Sequence, residues 1–286
     1  MVRNLNRRGF ILGGGVGLAA AALAGCEAEQ PVARSGESEG SVTLAKPELL
    51  IGFQSYSLRH FAPMETFLPE AEKLGLDYVE LYSALLATTA SPEEIDSAKG
   101  KLAAIGLTAN AYGVEKFTSD HAQNEAIFQF GKSLGVTNLS AYPTKDAFPS
   151  LSKLVDQYDI RIAIHNHGPE DEVWGRPEWI LNAVKDQDPR IGACLDTGWV
   201  IMAGVDSVEA IEMLGTRVLG IHLKDFTAEG EEVIPGDGLM DLDKTLAALQ
   251  KVGFSGPFSL EYEEKRENPV PDMLETVNRI KAWMKG

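Results

Sequence analysis

Eight short apolar segments recur along this chain at nearly constant spacing, and each is followed by a stretch with helical patterning. The candidate strands are Leu50–Gln54, Tyr78–Tyr82, Leu107–Tyr112, Thr137–Ala141, Arg161–Asn166, Ile191–Leu195, Val218–Leu223 and Phe258–Tyr262. Their starts lie 28, 29, 30, 24, 30, 27 and 40 residues apart. A strand, a helix and two loops need about thirty residues, so this is a βα unit repeated eight times. Ser91-Pro92-Glu93-Glu94 supplies a helix N-cap, a first-turn proline and acids against the helix dipole. Gly75, Gly106, Gly135 and Gly253 stand where C-capping glycines belong, between a helical stretch and the next strand. The count predicts a single (β/α)8 TIM barrel over residues 49–286. A doubly wound open sheet fits less well, because Gln54-Ser55-Tyr56-Ser57-Leu58 after the first strand is no glycine-rich phosphate loop.

The N-terminus has a different character. Arg7-Arg8 precede a 15-residue uncharged run, Ile11–Gly25, which is short for a bilayer span and suited to a signal-peptide core. The run closes on Leu23-Ala24-Gly25-Cys26, which resembles a bacterial lipobox. Residues 1–26 therefore read as a twin-arginine-type lipoprotein signal peptide with Cys26 as the lipidated residue, and 27–48 as a flexible tether. The expectation is an exported protein on the periplasmic side of a bacterial membrane, touching that membrane only through its lipid. The formal charge is −16, and loss of the three arginines before Cys26 takes it to −19. Such an acidic surface repels phosphate backbones and argues against nucleic-acid binding. Two cysteines build no disulfide framework.

In a TIM barrel the chemistry lies at the C-terminal ends of the strands. Those ends read Glu80-Leu81-Tyr82, His165-Asn166-His167-Gly168, Asp196-Thr197-Gly198-Trp199, His222-Leu223-Lys224-Asp225 and Glu261-Tyr262-Glu263-Glu264. Three of the chain's five histidines are among them. His165, Asp196, His222 and Glu261 come from four adjacent strands and are predicted to converge as a metal site. Two imidazoles and two carboxylates carry a formal charge of −2, which one divalent ion neutralises. The nitrogen ligands favour Mn, Zn, Co or Fe over Mg. His167, Glu80 and Glu261 are candidate bases, with Lys224 as an acid or oxyanion stabiliser. Lys224-Asp225 also reads as an ion pair positioning its loop, and Glu263, Glu264 and Glu267 as a solvated loop.

These segments, together with Phe53-Gln54-Ser55-Tyr56-Ser57-Leu58-Arg59 and Gly236-Asp237-Gly238, resemble the xylose isomerase-like TIM-barrel family of sugar phosphate isomerases and epimerases. The resemblance runs from residue 49 to about 283. It implies one divalent metal held by a Glu, Asp, His, Glu set from strands 5 to 8, of which Asp196, His222 and Glu261 match. The usual Glu-Asn-His of strand 5 is His165-Asn166-His167 here, so an imidazole replaces a carboxylate that both binds metal and moves a proton in the ketose 3-epimerases. Trp199 stands where those epimerases place a substrate-binding His, and Tyr56, Trp174 and Trp199 are the implied sugar contacts. The implied activity is metal-assisted enolisation of a sugar or keto-sugar, ending in isomerisation or epimerisation. The same enediolate serves a lyase or hydratase acting on 3-keto-sugars or glycosides. Export points to non-phosphorylated substrates. A nuclease on this barrel needs a trinuclear zinc cluster and more histidines. A non-catalytic sugar-binding lipoprotein is the reading that failure to bind metal would favour.

Overall fold

The computed structural model describes residues 49–286, so the signal, lipidation and tether assignments at residues 1–48 lie outside the described residues. The strands β1 (Ile51–Gln54), β2 (Tyr78–Leu81), β3 (Thr108–Phe117), β4 (Asn138–Pro143), β5 (Arg161–His165), β6 (Ile191–Asp196) and β7 (Val218–Leu223) follow the expected spacing. A small hairpin, β8 (Asp225–Phe226) and β9 (Glu232–Val233), then precedes the last barrel strand, β10 (Phe258–Leu260). The seven first strands and β10 pair in parallel and in chain order, and β10 closes on β1. All eight expected strands are present. The hairpin accounts for the long interval before the last one.

Helices α1 (Met64–Glu72), α2 (Pro92–Ala104), α3 (His121–Leu134), α4 (Phe148–Tyr158), α5 (Pro177–Val184), α6 (Thr197–Met202), α7 (Ser207–Leu214) and α8 (Leu242–Lys251) lie in the intervals between strands, and α9 (Val270–Lys285) follows the last one. The capping box at Ser91 is formed: its side chain accepts from Glu94 N, and the Glu94 carboxylate accepts from Ser91 N at 2.8 Å. Gly135 ends α3 at φ +92°, a conformation that penalises any side chain. Strand interiors such as Ile162-Ala163-Ile164 and Ile191-Gly192-Ala193 are buried on both faces, as parallel strands between barrel lumen and helices must be. Among the described residues, no helix is long and apolar enough to cross a membrane.

Two departures from expectation shape the barrel mouth. β3 runs five residues past Tyr112 because its pairing register with β4 shifts between Tyr112 and Glu115. At this bulge Gly113 lies so close to β4 that an added Cβ would stand 2.3 Å from the Ser140 carbonyl oxygen. The second departure is Asp225, which makes no ion pair with Lys224. Its buried carboxylate instead accepts four backbone N–H groups, from Phe226, Gly236, Gly238 and Met240, at 2.8–3.0 Å. Gly238 fits only without a side chain, since a Cβ would meet the Phe226 carbonyl oxygen at 2.4 Å and Asp225 Oδ1 at 2.7 Å. The Gly-Asp-Gly run is therefore a clasp that ties the hairpin loop to the end of β7. Asp225→Ala orphans these donors and is expected to lower stability by about 3 kcal/mol, read as a shift in the urea midpoint.

Candidate metal centre

Inward-facing residues at the strand ends build the floor of the mouth. Register pairs Asp196 on β6 with His222 on β7, and His222 with Ser259 on β10, while His165 on β5 lies opposite Cys194. Each of His165, Asp196, His222 and Glu261 is buried, and one ligand atom from each lies within 4.8 Å of all the others. His165 Nε2 is 3.5 Å from Asp196 Oδ2, and His222 Nδ1 is 3.1 Å from Glu261 Oε2. These four atoms have no hydrogen-bond partner. Buried polar atoms normally find one, so four such atoms around a common point make a candidate cation site. Ligands on opposite sides of an ion bound at about 2.1–2.2 Å lie about 4.4 Å apart, so the spread of the cluster suits one divalent ion. The four predicted ligands are the ones brought together.

Outer contacts hold each ligand's remaining atoms. His222 Nε2 is 3.0 Å from Glu80 Oε2, which also accepts from Ser259 Oγ at 2.9 Å. An imidazole that gives Nε2–H to a carboxylate presents its Nδ1 lone pair to the centre. Glu80 thus lies behind His222 and orients it. Asp196 Oδ1 caps α6 by accepting from Trp199 N at 3.0 Å, which leaves Oδ2 for the cluster. Asn166 grips the Asp196 backbone from both sides, at 2.9 and 3.0 Å.

Above the cluster opens a cavity of about 390 Å³ whose walls include Tyr56, Tyr82, His167, Trp199, Lys224 and Glu263. Lys224 is 1% exposed, and its Nζ sits 3.3 Å from Glu261 Oε2, 3.5 Å from Asp196 Oδ2 and 2.7 Å from Glu263 Oε1. Burial opposes ionisation of Asp196 and Glu261, but the Lys224 ammonium together with the neighbouring imidazoles, His165 at Asp196 and His222 and His165 at Glu261, outweighs it and holds both below the usual carboxylate range. Burial likewise opposes charge on His222, yet the adjacent Cys194, Glu80 and Glu261 hold its pKa well above the ordinary value. Burial, helped by neighbouring His165, pushes His167 down.

The expected substrate contacts divide. Tyr56 and Trp199 face the cavity. Trp174 does not: it is 1% exposed, packs on Phe148 and donates its indole N–H to the Pro143 carbonyl at 2.9 Å, so its role is in the core. His167 packs edge-on against Tyr142 and His165. The expectation of a solvated loop fails at Glu263, which pairs with Lys224 and accepts from Arg59 Nη2 through its backbone carbonyl. A sequence signal was available: Glu263 lies two residues beyond Glu261, as Lys224 lies beyond His222 and His167 beyond His165, and along extended chain such pairs share a side. Glu232 of β9, also unforeseen, accepts from Glu263 N at 3.1 Å, and burial pushes its pKa up to about 8 despite Lys224.

Fold and site together define a (β/α)8 barrel with a metal-type ligand cluster at its catalytic face. Residues 144–283, just under half of the chain, match the family described as xylose isomerase-like TIM barrel, and the closed eight-stranded barrel agrees with that match. The chain is 25% identical over 139 residues to an inosose dehydratase of Geobacillus thermodenitrificans, a match covering 42% of this chain and 46% of that one. It is 25% identical over 192 residues to an inosose isomerase of Bacillus subtilis, covering 54% and 66%. The matched segment thus spans about half to two thirds of these curated relatives' length. A solved structure, the IOLI protein with a bound zinc atom, superposes with TM-score 0.66 at 19% identity over 82% of this chain and 98% of that one.

Two outcomes follow. The chain purified without chelator is expected to carry about one Mn, Zn, Co or Fe by elemental mass spectrometry. Asp196→Ala and His222→Ala lose it with the fold intact, while His165→Glu keeps it; full occupancy in both alanine variants would refute the cluster. In the metal-free protein, Glu232 keeps its proton between its unfolded value of about 4.3 and about 8, whereas the unfolded chain has released it. That difference lowers stability as pH rises through this window, by up to about 1.4 kcal/mol per unit. Glu232→Gln should flatten the slope, measured by urea unfolding at pH 5 and pH 8.

Proposed function

We propose that this protein is a divalent-metal-dependent enzyme that enolises a non-phosphorylated sugar or keto-sugar. The observation that carries this reading is the set of four unpartnered ligand atoms within 4.8 Å, flooring a cavity walled by aromatic, cationic and acidic side chains. His165, Asp196, His222 and Glu261 would hold the ion, which when bound supplies Lewis-acid stabilisation of a substrate oxyanion. Tyr56 and Trp199 bind the sugar by its faces. Lys224 Nζ, fixed by Glu261 and Glu263, donates to the oxygen on which negative charge grows during enolisation. His167 takes the carbon-bound proton at a ring nitrogen. Its depressed pKa keeps it neutral and able to accept, and Nδ1 faces Asp171 Oδ2 at 3.6 Å. Glu261, at the cavity edge, is the second candidate base.

Return of that proton to the adjacent carbon gives an isomer or epimer. Loss of a β-hydroxyl from the same enediolate, leaving as water with a proton from Lys224 or His167, gives dehydration. The two curated relatives bear names of both kinds, and a 3-keto-sugar or glycoside lyase is the second reading of the same chemistry. The proposed location, exported and anchored through Cys26, rests on the N-terminal sequence alone.

The test is hydrogen exchange. Keto-sugars incubated in deuterium oxide with metal-loaded protein are expected to gain deuterium α to the carbonyl, and chelation to stop it. Lys224→Met should slow exchange about a hundredfold with metal retained. Exchange by no keto-sugar, with metal bound, would favour a binding protein.

A further inference from the structure

The cavity over the ligand cluster does not end at His167. A second, more open cavity of about 720 Å³ shares Val114 and His167 with it, so these two side chains form a lip between them. Both sides of the lip are set by the fold. The β3 bulge, with Gly113 pressed on Ser140, leaves Val114 36% exposed, one of few large apolar side chains so exposed among the described residues. Opposite, Asp171 organises the loop after β5: its Oδ1 accepts from Tyr142 Oη at 2.9 Å, Val173 N at 2.8 Å and Trp174 N at 3.2 Å. Asp171 Oδ2 is buried, has no hydrogen-bond partner and faces His167.

Resting on the sugar-enzyme reading above, we propose that the substrate has two rings. One is a sugar over the ligand cluster. The other is the uncharged, hydroxylated second ring of a glycoside, lying across the lip in the second cavity. Size supports this: about 390 Å³ is at the low end for a small-molecule site and suits one ring, while the adjoining space exceeds it. Charge defines the second ring. Glu170, Asp171 and Glu172 against Lys116 leave the second cavity with a formal charge of −2, which repels a phosphate or carboxylate and offers acceptors to hydroxyls. Val114, Val173 and the ring of Tyr142 supply apolar surface for the carbon face of a sugar.

The test is isothermal titration of the zinc-loaded full chain with 3-keto-D-glucose, one ring, and 3-keto-cellobiose, two rings. The two-ring probe is expected to bind about tenfold tighter or more. Val173→Trp, which fills the second cavity, should bring the ratio of the two affinities toward one. Equal affinities in the unmodified protein overturn the second subsite and leave the sugar-enzyme reading standing. A preference that survives Val173→Trp places the second ring elsewhere and also overturns it. Binding of neither probe by protein that holds its zinc defeats both.

Discussion

Burial of charge at the barrel mouth is the constraint to which the rest of this structure answers. Glu80, Asp196, His222 and Lys224 are at most 1% exposed, His165 is 4% and Glu261 is 8%. Each isolated ion in such a place costs several kcal/mol unless paired. The fold meets that cost by nesting the groups: Ser259 holds Glu80, Glu80 holds His222, Asn166 and the α6 N-terminus hold Asp196, and Lys224 lies among three carboxylates. What is left over is a set of lone pairs aimed at one point. Asp196 Oδ2 and Glu261 Oε2 have only ion-pair contacts and no hydrogen-bond partner, and they converge with two imidazole nitrogens as a cation site requires.

The mouth is built in two tiers, and the two-residue period of extended chain generates both. Glu80, His165, His222 and Glu261 form the floor. Tyr82, His167, Lys224 and Glu263, each two residues further on, face the cavity above. On β6 the same step reaches Gly198, where a Cβ would stand 2.6 Å from Phe226, so a side chain is excluded. Trp199 covers that place, and Gly168 gives it room, since a Cβ there would lie 3.0 Å from the indole. The ligand cluster and the cavity above it are thus consecutive layers of one barrel.

This explains what could be read in advance. Strand positions followed from spacing because every βα unit has nearly the same length, and the ligands followed from strand ends because closure of the barrel brings those ends together. Glu263 was missed although it obeys the same period as Lys224, because its neighbours Glu264, Lys265 and Arg266 make the segment look like a solvated charge run. Trp174 was misplaced since nothing local says which face of a long loop carries an indole; its partner, the Pro143 carbonyl, is 31 residues away. The Asp225 clasp and the β3 bulge depend on backbone groups, which a sequence does not display.

The strand-5 histidine has a consequence that links the tiers. A carboxylate at position 165 would give the ligand set a charge of −3 and put a second potential base on the floor. His165 leaves it at −2, balanced by one divalent ion, and adds a nitrogen ligand that favours Zn, Co or Fe over Mg. The floor then has one carboxylate fewer for moving protons, and the neutral imidazole nearest the cavity is His167, one tier higher and turned by Asp171. Under the proposed function, a base at that height would act on a substrate carbon beside the lip, on the side where the second cavity opens. The proposed two-ring substrate thus joins the histidine on β5 to the room beyond Val114: it would set the reacting carbon toward the place where a second ring begins.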